Sequence, residues 1–307
     1  MHITIRTNSL LTIIIPTHNR HHYLERVVKY YSNFEFNIYI IDSSHDEFIM
    51  DNWPSHIDYK HLPGSVFHDK ILFGCDDIDS DLIALCADDD FLFANALRKA
   101  VKQMERNVNI SVSFGEFIFF DSENSSRFYS VNLPKPSSIS LLKGGKTSRL
   151  KHFMDNYSQI LWSLYRKDIL INSFEAIKSS KFSNDNFIES IISCVAISKG
   201  ELNFMAEQFG VREINPNEHW GTRHSVISSK DELDILSFKN EITKFENIEF
   251  AESALDTLLK NKSLINRVID KLKHIFNSPS TSIGKNVEDK GDSVLIKKLL
   301  KEFDDRL

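Results

Sequence analysis

Three consecutive carboxylates, Asp88-Asp89-Asp90, follow the apolar run Leu82–Ala87. Adjacent carboxylates repel one another, and hard oxygen ligands suit Mg²⁺ or Mn²⁺, so the triplet reads as a strand tip that holds a divalent cation. Such an ion grips a diphosphate and takes up charge as it leaves. The same triplet also reads as a solvated acidic turn that caps the next helix. A second group, Pro16-Thr17-His18-Asn19-Arg20, places hydroxyl, amide and guanidinium donors after the first apolar run. Those groups can meet a nucleotide, or Thr17 or Asn19 can cap the helix that follows. Asp42 ends a further run, NIYIID, where it can accept hydrogen bonds from a base or ribose or close an Asx turn. His18, His21 and His22 cluster in sequence, but neighbours on a helix face different ways, which favours a solvated helix start over a metal site.

These residues need a scaffold that brings strand ends together. Leu11–Ile15 is a β-branched run closed by Pro16, apolar on both faces as a central parallel strand requires. Tyr23, Val27 and Tyr31 then share a helical face, and Asn37–Ile41 forms a second buried strand. Strand, helix, strand is a βαβ unit with a right-handed crossover. Residues 51–64 read as loop, 66–79 as helix and 81–87 as a third strand, followed by a helix through Leu97, Val101 and Met104. Strands are expected at 110–120, 127–133 and 159–165, a short helix from Arg166, and a strand pair within 201–214. Residues 134–149, rich in Pro, Ser, Gly and Lys, read as a loop or hinge. A helix over 183–200 takes Ser183 or Asn184 as its N-cap and Gly200 at its end. From about 230 the pattern is helical and charged. The fold class expected is α/β, with a mostly parallel sheet, flanking helices and a C-terminal helical extension. The division expected is one domain over 1–229, in halves 1–109 and 110–229, and an extension over 230–307.

The 307 residues, 41% hydrophobic and with 23 Phe, suffice for a full core and exclude general disorder. A net charge of −6 disfavours a chain whose task is to coat nucleic acid. Three scattered cysteines, Cys75, Cys86 and Cys194, form neither a disulfide framework nor a zinc site and read as reduced thiols. The N-terminus lacks a signal-peptide h-region, and no run approaches the ~20 apolar residues of a membrane helix. A cytoplasmic protein is expected. Residues 260–276 are basic and amphipathic and suit a membrane surface, a partner helix or packing on the chain's own domain.

Taken together, LTIIIPTHNR, NIYIIDSS and DLIALCADDDFL resemble the nucleotide-sugar glycosyltransferases of the GT-A fold, in particular family-two-like bacterial members with a DxD motif. The DDDF form is similar to a subgroup associated with surface polysaccharides. The resemblance covers residues 10–105 well and extends more weakly to about 225. It implies that Pro16, Thr17, Asn19, Arg20 and Asp42 line the nucleotide pocket. It places Asp88 near the ribose or on the metal, Asp90 on the metal, and Asp89 as a substitute for either. Lys70 stands roughly where such enzymes carry an arginine close to the base. The general base of an inverting member lies well beyond the acidic motif, near a helix start. Here Asp185 (185 − 90 = 95 positions on) and Glu189 (189 − 90 = 99) are the candidates, on one face at i and i+4. His219 or His224 would complete the metal shell, Arg212 or Arg223 would hold the diphosphate, and Trp220 would stack on a sugar.

The activity so implied is metal-dependent transfer of a sugar from a nucleoside-diphosphate donor, a UDP-sugar first, to a hydroxyl of a glycan acceptor. Its setting would be bacterial surface polysaccharide synthesis, with inversion preferred to retention. The cofactor would be Mn²⁺ or Mg²⁺. Two alternatives stand beside it. A sugar nucleotidyltransferase would carry a Gly-rich first turn, and residues 1–63 contain no glycine. A non-catalytic glycan-binding or scaffold protein would not need the acidic triplet.

Overall fold

The computed structural model describes residues 10–121, 128–130, 145–155, 159–214, 227, 229–260, 294 and 296. The first strand, β1 (Leu11–Thr17), is buried at every position and pairs in parallel on both sides, with β2 (Asn37–Asp42) and β4 (Leu82–Leu85). Because side chains alternate along a strand, β1 feeds two cores. Leu11, Ile13 and Ile15 pack towards α1 (His21–Tyr31) and α3 (Ala94–Arg106). Ile14 packs on the opposite face, with residues of α2 (Phe67–Asp77), α5 (Lys167–Ser180) and α6 (Asn186–Lys199). The continuous apolar run in the sequence is therefore the record of a strand covered by helices on both faces.

Among the described residues nine strands follow the order β3 (Ile57–His61), β2, β1, β4, β8 (Leu164–Arg166), β6 (Ile110–Asp121), β9 (Glu201–Ile214), β5 (Phe91–Leu92), with β7 (Phe128–Ser130) against β6. The β3-β2-β1-β4 half is parallel throughout. The strand β8 (Leu164–Arg166) runs against both β4 and β6, so β6 points the same way as β4. The long β9 (Glu201–Ile214) is parallel to β6. Six of the nine strands thus share one direction, and the expected α/β class with a mostly parallel sheet holds. The strand tips that carry Thr17, Asp42 and the acidic triplet lie side by side at the carboxyl edge, where open α/β sheets bind ligands.

Several elements differ from expectation for identifiable reasons. Residues 51–64 contain a strand, β3 (Ile57–His61), at the sheet edge. Its alternation of Ile57 and Tyr59 with Asp58 and Lys60 is that of an edge strand with one wet face. The strand expected over 159–165 begins only at Leu164, and the helix that follows runs 14 residues. The expected strand pair is a single strand, β9, whose register with β6 shifts near Ile110, Gly115 and Glu116. In the 134–149 segment, α4 (Lys146–Asp155) starts at Lys146. The α6 helix takes Asp185 as its N-cap residue, and the Asn184 side chain accepts the Asn186 amide at 3.0 Å.

A short strand, β5 (Phe91–Leu92), turns the chain back after the triplet and pairs with Gly210 and Val211 of β9. A Cβ on Gly210 would lie 2.5 Å from the Phe91 carbonyl oxygen, so this close pairing requires glycine. The helices α7 (Glu232–Phe245) and α8 (Ile248–Lys260) extend the same core. Phe238, Ile242, Phe250, Ala254 and Leu258 are buried with residues of β1, α5 and α6. Both helices pack on the layer of helices that covers this face of the sheet, α7 on α5 and α6 and α8 on α4. Asp234 of α7 makes this packing specific: its carboxylate accepts the Ser183 and Asn184 amides at 3.0 and 2.9 Å and the Ser183 hydroxyl at 2.7 Å. Asp234→Ala strands the buried Asn184 amide and should cost about 2 kcal/mol, readable as a lowered urea midpoint. An unchanged midpoint would show that water replaces the carboxylate without loss.

Candidate active site

The turn after β1 meets the turn after β4. Thr17 donates its hydroxyl to Asp88 Oδ2 at 2.6 Å, across 71 residues of sequence. Arg20, the residue before α1, spans two of the three carboxylates, with Nη1 on Asp88 Oδ1 at 2.6 Å and Nη2 on Asp89 Oδ2 at 2.5 Å. Its guanidinium lies over Tyr23, 4.4 Å from the ring centroid, and Arg26 lies over the same ring at 4.2 Å. Asn19 adopts a left-handed conformation (φ 54°), which Asn tolerates better than most residues, and its amide donates to Ser44 Oγ at 2.7 Å.

Asp42, with no exposed surface, is saturated. Its Oδ1 accepts the Ser44 amide and hydroxyl, and its Oδ2 accepts Tyr59 Oη at 2.7 Å and His21 Nε2 at 2.8 Å. Burial pushes this carboxyl up, but the hydrogen bonds from Ser44, Tyr59 and His21 outweigh it and hold it below the usual range. Asp42 therefore organises its surroundings; the groups that face outward around it are His21, Phe48, Trp53 and Tyr59, a set of stacked and tilted rings. Lys70 is also buried. It donates to the Thr17 carbonyl at 2.6 Å and to Ser43 Oγ at 2.9 Å. Burial lowers its ammonium to about 8, against the pull of Asp88 and Asp42.

The third carboxylate has other partners. Asp90 Oδ1 accepts the Glu213 amide at 3.1 Å, and Arg212 Nε stands 3.6 Å from Oδ2. Glu213 pairs with Arg26, which also reaches the Asp89 carbonyl at 3.3 Å. Burial and the neighbouring Asp89 push Asp90 well above the usual carboxylate range, with Arg212 and the Glu213 amide pulling back. Asp88 rises for the same leading reasons, burial and then Asp89, to about 7, despite Arg20, Thr17 and Lys70.

The α6 helix carries Asp185 at its N-cap and Glu189 one turn on, both half-buried. Gln159, ahead of β8, donates its amide NH₂ to Glu189 Oε1 and accepts Arg212 Nη1 on its amide oxygen. A line of contacts therefore runs Asp90, Arg212, Gln159, Glu189.

The sequence profile described as Glycosyl transferase family 2 matches residues 12–171, which is 160 of the 307 residues. The chain belongs to that family. Among solved structures, it is similar to TarS of S. aureus. Against TarS 1–349 in complex with UDP-GlcNAc, the TM-score is 0.56 at 13% identity, covering 81% of this chain and 71% of that one. Against TarS 1–349 in complex with UDP it is 0.50 at 10% identity, covering 81% and 70%. A third structure of TarS gives 0.53 at 13% identity, covering 81% of this chain but only 42% of that one. The chain thus spans less than half of that longer TarS chain, and at these identities the likeness is one of fold. Among curated proteins, none matches.

In this family member the structure brings together Thr17, Arg20, Asp88, Asp89, Asp90, Arg212 and, through Gln159, Glu189. Pro16 lies within β1, paired with Ile41. His219, Trp220, Arg223, His224 and most of 260–276 lie outside the described residues. His18 points its Nδ1 at the Ser43 carbonyl, 3.0 Å away, and among the described residues no group of three His, Cys, Asp or Glu side chains converges on one point. The three cysteine thiols are buried and unpaired. None of the described helices is long and apolar enough to cross a membrane. Three participants escaped the sequence reading: Gln159, Arg26 and Tyr59. Only Tyr59 carried a signal, as a ring on the Ile57 face of an edge strand beside Asp42.

The raised Asp88 has a consequence for stability. Its folded-state value of about 7 lies above the unfolded carboxyl near 4, so between those values the folded chain keeps a proton that the unfolded chain releases. Stability is then lost as pH rises from about 4 to 7. Asp90 acts in the same direction, while Asp42, held low, acts oppositely at more acid pH. The ligand-free protein should melt lower at pH 7.5 than at pH 5, and Asp88→Asn should narrow that gap. A gap of equal size in the variant would place its origin elsewhere.

Proposed function

We propose that this family-2 chain transfers a glycosyl group from a nucleoside-diphosphate sugar to a hydroxyl of a glycan acceptor, with inversion. The observation that carries the reading is the line from Asp90 through Arg212 and Gln159 to Glu189. It joins a diphosphate-binding end to a carboxylate base at the carboxyl edge of the sheet. The solved TarS structures with UDP and UDP-GlcNAc, similar in fold, favour a UDP-sugar as the first donor to test. A role in surface polysaccharide synthesis rests on the DDDF form alone.

The residues fit a divalent cation. Asp88 and Asp90 are hard oxygen donors, buried beside one another's neighbour and driven towards protonation, the condition a cation relieves. Among the described residues fewer than three such side chains converge, and oxygens of the donor would join Asp88 and Asp90 in the shell. When bound, Mn²⁺ or Mg²⁺ would be held by Asp90 with Asp88 and would neutralise charge on the leaving diphosphate. The chain's own residues do the rest. Arg212 has buried Nε and Nη2 groups with no hydrogen-bond partner among the described residues, a donor pair suited to a phosphate oxygen. Arg20 is the second guanidinium at the triplet. Glu189 removes the proton from the acceptor hydroxyl as its oxygen attacks the anomeric carbon.

The test is a thermal-shift screen of UDP, GDP, CMP and their sugars, each with and without Mn²⁺, followed by nucleotide release from the hits. A ligand at 100 times its Kd adds about 2.7 kcal/mol to the folded state. A cation-dependent shift with one nucleotide is expected. No shift and no release with any donor would overturn the enzyme reading in favour of a scaffold.

A further inference from the structure

Gln159 takes no chemical role of its own in the reading above, yet it touches both of its charged ends. We infer that Gln159 is a positioning residue that aims the Glu189 carboxylate and ties its orientation to Arg212. The inference rests on the reading of Glu189 as base. The amide oxygen of Gln159 accepts Arg212 Nη1, and its NH₂ donates to Glu189 Oε1. Only this orientation works. Turned over, the NH₂ would face guanidinium donors and the oxygen would face a carboxylate, and both contacts would repel. Two opposite charges therefore fix one neutral side chain.

The frame around it is stiff. Gln159 leads into Ile160, Leu161 and Ser163, all buried, and the Ser163 carbonyl accepts the Leu85 amide of β4 at 3.0 Å. Tyr165, fully buried, returns its hydroxyl to the Ile160 carbonyl. The Arg212 guanidinium lies over the Phe117 ring, 4.1 Å from its centroid, with Nε 3.6 Å from Asp90. Glu189 itself stands on a helix, and a free Glu side chain would sample several rotamers. A base must sit within hydrogen-bond reach of the proton it takes, and small displacements are costly. The amide supplies that constraint and refers it to the residue that meets the diphosphate. A carboxylate in this place would repel Glu189, and an apolar side chain would release it.

The experiment is a double-mutant cycle on the holoenzyme with Mn²⁺, water as acceptor, and the fastest-released donor among UDP-, GDP- and CMP-sugars. Gln159→Leu should lower kcat about 10- to 100-fold, the cost of a misplaced group, while the Kd for the free nucleotide stays within about twofold. Gln159→Glu, which keeps an acceptor for Arg212 but opposes Glu189, should lose at least as much. In a Glu189→Gln background, Gln159→Leu should change kcat by no more than about twofold, since the group it positions is already gone. Equal losses in both backgrounds, or a wild-type kcat for Gln159→Leu and Gln159→Glu, would overturn the inference while leaving the base reading intact. A wild-type kcat for Glu189→Gln would overturn the base reading itself. A chain that releases nucleotide from no donor overturns both.

Discussion

Glu189→Gln is expected to slow glycosyl transfer about 10²- to 10⁴-fold, the range general-base removal produces. The change is isosteric and removes only the capacity to take a proton. Nucleotide affinity should therefore hold, and the loss should fall on kcat rather than on KM. The competing candidate, Asp185, shares the helix face but sits at the N-cap, where its carbonyl accepts the Ile188 amide at 3.0 Å. What favours Glu189 is connection: contacts run to it from Asp90 through Arg212 and Gln159. The charge of Glu189 also reaches the interior, where burial first and then Glu189 raise the Tyr165 phenol. Asp185→Asn should cost no more than about threefold, in the range of a first-turn dipole contribution. If Asp185→Asn proves the slow variant and Glu189→Gln turns over normally, the base is Asp185.

The route from sequence to this site was uneven for physical reasons. β1, β2 and β4 were legible because strands buried on both faces must be apolar at every position, and Thr17, Asp42 and the triplet are where those runs stop. Strand ends in a parallel sheet are adjacent by construction, so the nearness of Thr17, Asp42 and the triplet could be read without coordinates. β3 was missed because an edge strand hides Ile57 and Tyr59 among charges. Asp42 shows the limit of reading a residue by its type. Its position at the strand tip was legible, but its saturation by Ser44, Tyr59 and His21 was not, since those partners come from three separate elements. Gln159 was beyond reach. It lies in an irregular segment, 53 residues from Arg212 and 30 from Glu189, and no periodicity marks an amide that bridges two charges. The pair of Arg26 and Glu213 spans 187 residues and depends on β5 turning back onto β9.

Asp90→Ala is expected to abolish the Mn²⁺-dependent part of nucleotide binding and to lower turnover by about 10²-fold or more, the scale of losing an electrostatic clamp on a developing charge. The fold should survive it. Asp90 is a buried carboxyl pushed upward by burial and by Asp89, so its ionised form is a burden on the folded state and its removal relieves that burden. The opposing losses are the acceptor for the buried Glu213 amide at 3.1 Å, worth about 2 kcal/mol, and the anionic neighbour of Arg212 at 3.6 Å. The two effects oppose, and the ligand-free melting temperature should move by only a few degrees. Asp89→Ala makes the contrast. Asp89 is the more exposed of the three and is spanned by Arg20 alongside Asp88, so its loss should weaken binding without erasing the cation dependence. Thermal shifts with UDP at fixed Mn²⁺, and again in EDTA, read both variants directly. A wild-type cation-dependent shift in Asp90→Ala would remove Asp90 from the metal site. The chemistry would then lie with the two guanidiniums, Arg20 beside Asp88 and Asp89 and Arg212 beside Asp90.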